Sequence, residues 1–369
     1  MSDVIDALVP LHATSPLHAV RHQRDKVVAA TQGSYDAIFD PALPGLALAE
    51  RLLAAHTVAR LSGSTALEAH YRDRLDRLPA TPPDGERVQA ILAFAEVLTE
   101  HPVEGDRIAL LKLPAAGLST PEIITLAQLI AFVAYQVRVV AGLQAMAAMD
   151  PTESAATQTP PGESAPFVHP ANLPQPGEPV RVNGYTSETL GWKAWLPVVE
   201  LASATPEQLA VLESSHPKAK TSDYYRVLVH QPRILHERSV VFNAIMYAPG
   251  GLSRAERELA SAAVSRINGC VYCASVHAQR FEQLTKRNDV IVQLFTEPQG
   301  AGTNARERAV VQLAIDLTQT PRRFGAPQLQ AVRPAGLTPL EVLDLVHAAA
   351  IFAWANRLML NLGEPVFPA

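Results

Sequence analysis

The sequence predicts an all-α protein of two tandem, related helical domains joined by a Pro-rich linker. Three observations predict it. Apolar residues recur at helical spacing behind Ser/Thr-Pro starts, the chain matches itself at a fixed offset, and a stretch poor in large apolar residues separates the matching halves.

Taken in order, residues 13–40 read as one or two helices, with mixed amphipathic patterns over His18 to Val28 and Gly33 to Phe39. Leu43 to Leu61 follows, then a break at Ser62-Gly63, then Ser64 to Leu75. A Pro-rich connection leads to Glu86 to Thr99, and the last helix of this half starts at Ser119-Thr120-Pro121-Glu122 and runs apolar to Met149. Residues 151–185, rich in Pro, Ser and Thr, cannot bury enough surface to offset their ordering entropy and read as a linker. They divide the chain into domains at 1–150 and 186–369. Beyond them, helices are expected over Ser187 to Leu212, Tyr224 to Tyr247, Leu252 to Asn268, Cys270 to Gln283, Arg306 to Thr318 and Val342 to Leu362.

The repeat ties the halves together. An offset of 206 residues places Glu50, Arg51, Val58, Arg60 and Gly63 on Glu256, Arg257, Val264, Arg266 and Gly269. An ungapped offset of 219 places Leu98, Thr99, Gly117, Leu118, Glu122 and Arg138 on identical residues from Leu317 to Arg357. Arg357, with Asn356 before it, reads as a helix tether, because its counterpart Arg138 persists in the other half.

Composition narrows the function. The 369 residues carry a formal charge of −5 and lack a clustered Lys/Arg stripe, which argues against nucleic acid. The run from Ile123 to Val140 is interrupted by Gln128, Gln136 and Arg138, so no membrane span is expected, and the N-terminus lacks the basic and apolar regions of a secretory signal. A cytoplasmic location follows as an expectation. There, two cysteines in a single C-x-x-C point to redox or metal chemistry rather than a disulfide framework.

Those cysteines, Cys270 and Cys273, are the centre of the sequence. Gly269 interrupts the preceding helix, so Cys270 falls at a helix N-terminus and Cys273 one turn in, where N–H groups and the helix dipole favour thiolate. His277 follows Cys273 by four residues and lies over its sulfur. Glu258, on the preceding helix, is placed to orient the imidazole. In the first half the same positions hold Ser64, Leu67, Tyr71 and Leu52, so that half reads as a catalytically silent copy. His347 and Trp354, seven residues apart on the final helix, read foremost as core packing, with lining of the site as the competing reading. The helix around Phe242 to Tyr247 reads as its cover.

The pattern Glu258-x11-Cys270-x-Tyr272-Cys273-x3-His277, with Asn268 just ahead of it, resembles the alkylhydroperoxidase D branch of the carboxymuconolactone decarboxylase family. The resemblance covers about Tyr224 to Leu362. It implies a thiol peroxidase without metal, haem or other cofactor, with Cys273 as the peroxidatic thiol, Cys270 as the resolving thiol, and His277 and Glu258 as a proton relay. Tyr272 departs from the pattern, standing where some members have histidine. The implied partners are a hydroperoxide substrate, a dithiol, thioredoxin-like or lipoyl-type reductant, and further copies of the chain, a trimer foremost. Three alternatives stay open, the first implied by the wider family the resemblance points to and the other two by the residues. They are lactone or decarboxylation chemistry, a redox-sensing or partner-docking dithiol, and zinc held by the thiols and His277.

Overall fold

The computed structural model describes residues 3–79, 84–149 and 168–368. The fold is all-α, as expected. The first half comprises α1 (Val4–Leu8), α2 (Pro16–Arg21), α3 (Asp25–Ile38), α4 (Leu48–Leu61), α5 (Thr65–Asp76), α6 (Glu86–Glu100), α7 (Arg107–Ala115) and α8 (Thr120–Ala147). The second comprises α9 (Pro206–Ser215), α10 (Asp223–Leu228), α11 (Pro232–Met246), α12 (Arg254–Ile267), α13 (Val271–Thr285), α14 (Asp289–Thr296), α15 (Ala305–Gln319), α16 (Ala326–Val332) and α17 (Pro339–Asn361).

Helix starts follow the local chemistry. Ser119 and Thr338 begin α8 and α17, each with Pro in the first turn and a Glu three residues on that reaches back to the cap backbone. Both helices are long and apolar enough to cross a membrane, which the sequence reading did not expect. Their apolar windows are 100% and 89% buried, however, because the two helices pack along each other as the central layer of the protein. Gln128 and Gln136, taken as interruptions, are themselves buried.

Around this pair the halves interlock. α3 of the first half packs on α11 of the second, and one continuous core of buried apolar side chains spans both. Arg138 on α8 donates to the carbonyl oxygens of Ala134 and of Thr318, at the end of α15. Arg357 on α17 donates to Ala353 and, reciprocally, to Leu98 and Thr99 at the end of α6. Each arginine therefore caps a helix of the opposite half, which is the tether expected of Arg357. Burial pushes the Arg138 guanidinium down to about 10, and its acceptors at Ala134 and Thr318 are neutral carbonyls.

The segment between the halves differs from its expectation. Residues 150–167 of the linker lie outside the described residues. From residue 168 the chain lies against α13, where Arg280 and Gln283 donate to the carbonyls of Pro170 and Pro174. It then forms a hairpin, β1 (Arg181–Val182) with β2 (Tyr185–Thr186), around Asn183-Gly184, whose φ values of 51° and 79° suit the left-handed turn. The helix expected from Ser187 does not form. Instead β3 (Gly191–Ala194) pairs antiparallel with β4 (Gly363–Val366), and Trp192 donates to Met359 O. Gly191 and Pro197 disfavour helix there, and the helix begins only at Pro206 behind the cap Thr205.

Candidate active site

The site is built on the antiparallel pair α12 and α13. Ser253 caps α12, and Glu256 at its third position returns a hydrogen bond to the Ser253 backbone. Gly269 at φ 74° ends the helix, in a left-handed conformation only glycine adopts readily, and Cys270 then serves as the N-cap of α13. This tight reversal lays α13 back along α12. Glu258, in the second turn of α12, thereby faces His277 on α13.

The structure pairs His277 with Glu258 and Cys270 with Cys273. His277 Nδ1 lies 2.5 Å from Glu258 Oε2, and Glu258 is buried. Arg254 Nε sits 3.7 Å from the other carboxylate oxygen, and the His277 ring meets Phe352 edge-on at 4.4 Å. This fixes the imidazole by a carboxylate on one side and an aromatic wall on the other. Nδ1, and not Nε2, is the ring nitrogen that meets the carboxylate. Phe242 of α11 packs against Phe352, consistent with that helix forming the wall.

Cys270 and Cys273 are both buried and unbridged. The expectation that the helix N-terminus favours thiolate at both fails at Cys270. Burial pushes its thiol well up, and its hydrogen bond with Cys273 pushes further the same way. A hydrogen bond from Asn356 and the Cys273 N–H oppose this without reversing it. Cys270 is thus a protonated thiol beside Cys273.

Asn268 acts through Asn356. Its Nδ2 donates to Asn356 Oδ1 at 2.9 Å, and Asn356 Nδ2 reaches Ser265 Oγ at 3.0 Å. The pair of asparagines and Ser265 form a buried polar ladder ending at the Cys270 sulfur. The sequence reading named Asn356 only as a neighbour of Arg357. The signal was available, since the offsets pair Asn268, Asn356 and Ser265 with Ser62, Val137 and Ala59, so the whole ladder is missing from the first half.

Tyr272 is half-buried above the thiols. Burial, then the charge of Cys273, pushes its phenol up to about 12, so it is a proton-bearing group at neutral pH. Tyr224, which the sequence reading did not select, is fully buried within electrostatic reach of both cysteines, its phenol also raised by burial. Trp354 and His347 lie in the core. Trp354 is buried against Phe132 and Tyr135 of α8 and donates to Gln128, so it belongs to the interface between halves. His347 is buried beside Asp344, which holds Arg24 and Arg257. Helical periodicity put both on one face without showing that α8 covers it.

A buried dithiol at a helix start and a His–Glu pair thus share one helix pair of an all-helical scaffold. Residues 235–316 match the sequence model of the carboxymuconolactone decarboxylase family. Among solved structures it is similar to the alkylhydroperoxidase AhpD core, an uncharacterized peroxidase-related protein from Ralstonia eutropha JMP134. The identity is 23%, over 44% of this chain and 87% of that one, with a TM-score of 0.39. No curated protein matches the chain.

Proposed function

We propose that the protein is a thiol-dependent hydroperoxide reductase cycling between the Cys270/Cys273 dithiol and its disulfide. The observation that carries this reading is the His277–Glu258 contact of 2.5 Å, one helical turn from Cys273, with a protonated Cys270 alongside.

In the proposed cycle His277 takes the Cys273 proton, and Glu258 holds the resulting imidazolium. The Cys273 thiolate attacks the distal peroxide oxygen, the O–O bond breaks, and His277 returns the proton to the leaving alkoxide. The products are an alcohol and Cys273 sulfenic acid. Cys270 then attacks that sulfur, its proton leaves with the hydroxyl as water, and the disulfide forms. An external dithiol, of thioredoxin or lipoyl type, supplies the two electrons and two protons that restore both thiols. The Asn268–Asn356–Ser265 ladder positions Cys270 for the second step.

The same proposal takes the first half as a copy that has lost this chemistry, places the protein in the cytoplasm, and assembles it as a homo-oligomer, with a trimer favoured. The exposed Val103, Ile108 and Leu111 of the α7 region support further association.

The test is consumption of an organic hydroperoxide by pre-reduced protein with excess dithiol. Cys273→Ser is expected to bring turnover to background, and stoichiometric peroxide is expected to yield the Cys270–Cys273 disulfide. Unchanged consumption by Cys273→Ser, or turnover that survives alkylation of both thiols, ends the proposal.

A further inference from the structure

The N-terminal arm carries a group of metal-ligating side chains that the dithiol chemistry does not use. His18 on α2 and His22 in the 3-10 turn that follows it are four residues apart, and their rings stack at 3.9 Å. Asp6 of α1 approaches both: its Oδ2 lies 2.9 Å from His22 Nε2 and 3.8 Å from His18 Nε2. The three ligand atoms all fall within 4.8 Å of one another.

The carboxylate is itself held in place. Arg21, almost fully buried, donates to Asp6 Oδ1 at 2.6 Å and pairs with Asp3 at 2.8 Å. This occupies one oxygen of Asp6 and leaves the other facing the two imidazoles, which is the way a neighbouring group commonly orients a metal-binding carboxylate.

We propose that Asp6, His18 and His22 form a binding site for a divalent d-block cation of the Zn2+ type. Metal–ligand bonds of about 2.0–2.2 Å in tetrahedral geometry put donor atoms roughly 3.3–3.5 Å apart, and the separations of 2.9 and 3.8 Å bracket that value. Small side-chain rotations close the difference. Two imidazoles and one carboxylate suit Zn2+, Ni2+ or Cu2+ and do not suit Mg2+ or Ca2+, which take all-oxygen shells. All three side chains are partly exposed, so water can take the fourth position. The Arg21 charge repels a cation and sets the affinity below that of a closed structural zinc centre.

The bound ion would fasten α1 to α2 across the connection at residues 9–15. Through Arg24, which follows directly and donates to Asp344 at 2.7 Å, the fastened arm joins the second half. The site therefore acts on the N-terminal arm and is separate from the thiols.

The experiment uses the full chain with any affinity tag removed, in a Cys270→Ser/Cys273→Ser background so that thiols cannot bind metal. Titration with Zn2+ alone is expected to show one saturable equivalent per chain, weakened at least tenfold by adding His18→Ala/His22→Ala. Co2+ as a probe is expected to give visible d–d bands without a thiolate charge-transfer band. Should the double histidine variant misfold, His22→Gln, which can still hydrogen-bond Asp6, is expected to give the same weakening. The absence of saturable binding in the thiol-free background overturns the site, as does binding that the histidine substitutions leave unchanged.

Discussion

The helix pairs α4–α5 and α12–α13 share a frame and differ in its contents. Gly63 at φ 68° and Gly269 at φ 74° make the same left-handed break between their helices. Glu50 pairs with Arg87, which also reaches Glu122. Glu256, Arg306 and Glu341 repeat that arrangement at the corresponding positions. Arg51 and Arg257 are both fully buried and bind loop carbonyls. Where the second pair holds Glu258, Cys273 and His277, the first holds Leu52, Leu67 and Tyr71, all buried. Tyr71 packs on Phe39 and donates to Gln136, so a satisfied core side chain stands at the position His277 holds in the second half. The comparison separates what the scaffold requires from what the chemistry requires: the arginine and glutamate frame appears in both, and the proton-transfer groups in one.

The largest expected effect comes from removing the group whose first-half counterpart is Leu52. Glu258→Gln keeps the shape and loses the charge that holds His277, and general acid–base assistance is worth about 10²–10⁴ in rate. Hydroperoxide turnover is expected to fall by about that factor while the circular dichroism spectrum stays unchanged. A fall of less than about threefold would place the relay elsewhere and dissolve this difference between the halves.

A second contrast concerns stability. Asp344 accepts from both Arg24 and Arg257 in the interior, whereas its counterpart Thr125 bonds only the Pro121 carbonyl within its own helix. Asp344→Asn leaves two buried guanidiniums without a counter-charge, a change that costs roughly 3–5 kcal/mol. Thr125→Val is expected to cost about 1 kcal/mol. Urea unfolding measures both, and equal costs would show that the halves are anchored alike.

His347 extends that contrast to pH, since its counterpart is the non-titrating Gln128. Burial pushes the imidazole down to about 3, with the Asp344 charge opposing. The unfolded chain binds the proton near 6.5 and the native one only near 3. The stabilisation is therefore complete above pH 6.5 and is lost as pH falls towards 3, amounting to on the order of 5 kcal/mol. His347→Gln imports the first-half residue and is expected to flatten stability against pH across that window. An unchanged slope would assign the acid sensitivity to other groups.

How much of this was legible in the sequence depends on the range of the interaction. α12, α13 and α17 were legible because caps, glycine breaks and apolar spacing act within a few residues. So was the Glu258–His277 pairing, because the break at Gly269 forces the two helices antiparallel. The strand at Gly191–Ala194 was not, since its partner lies at Gly363–Val366 and no local signal announces it. What Trp354 packs against was not legible for the same reason: its face is covered by α8, more than 200 residues earlier in the chain. Cys270 shows a subtler limit, because a helix N-terminus lowers a thiol pKa only where burial does not outweigh it.

Asn356 offers the finest distinction between the halves, because its counterpart is Val137. Its hydrogen bond lowers the Cys270 thiol against the stronger effect of burial. Asn356→Val therefore raises that thiol further and frees Asn268 and Ser265 from their shared partner. Stability is expected to fall by only about 1 kcal/mol, the net worth of a buried hydrogen bond. The informative readout is the rate of Cys270–Cys273 disulfide formation after one equivalent of peroxide, followed by stopped flow across pH. If Asn356 positions Cys270, that step slows about tenfold, corresponding to the loss of roughly 1.4 kcal/mol. Its rise with pH also moves to higher pH, while the first oxidation at Cys273 keeps its rate. A slower step with an unmoved pH profile would reduce Asn356 to packing, the role Val137 already fills in the first half.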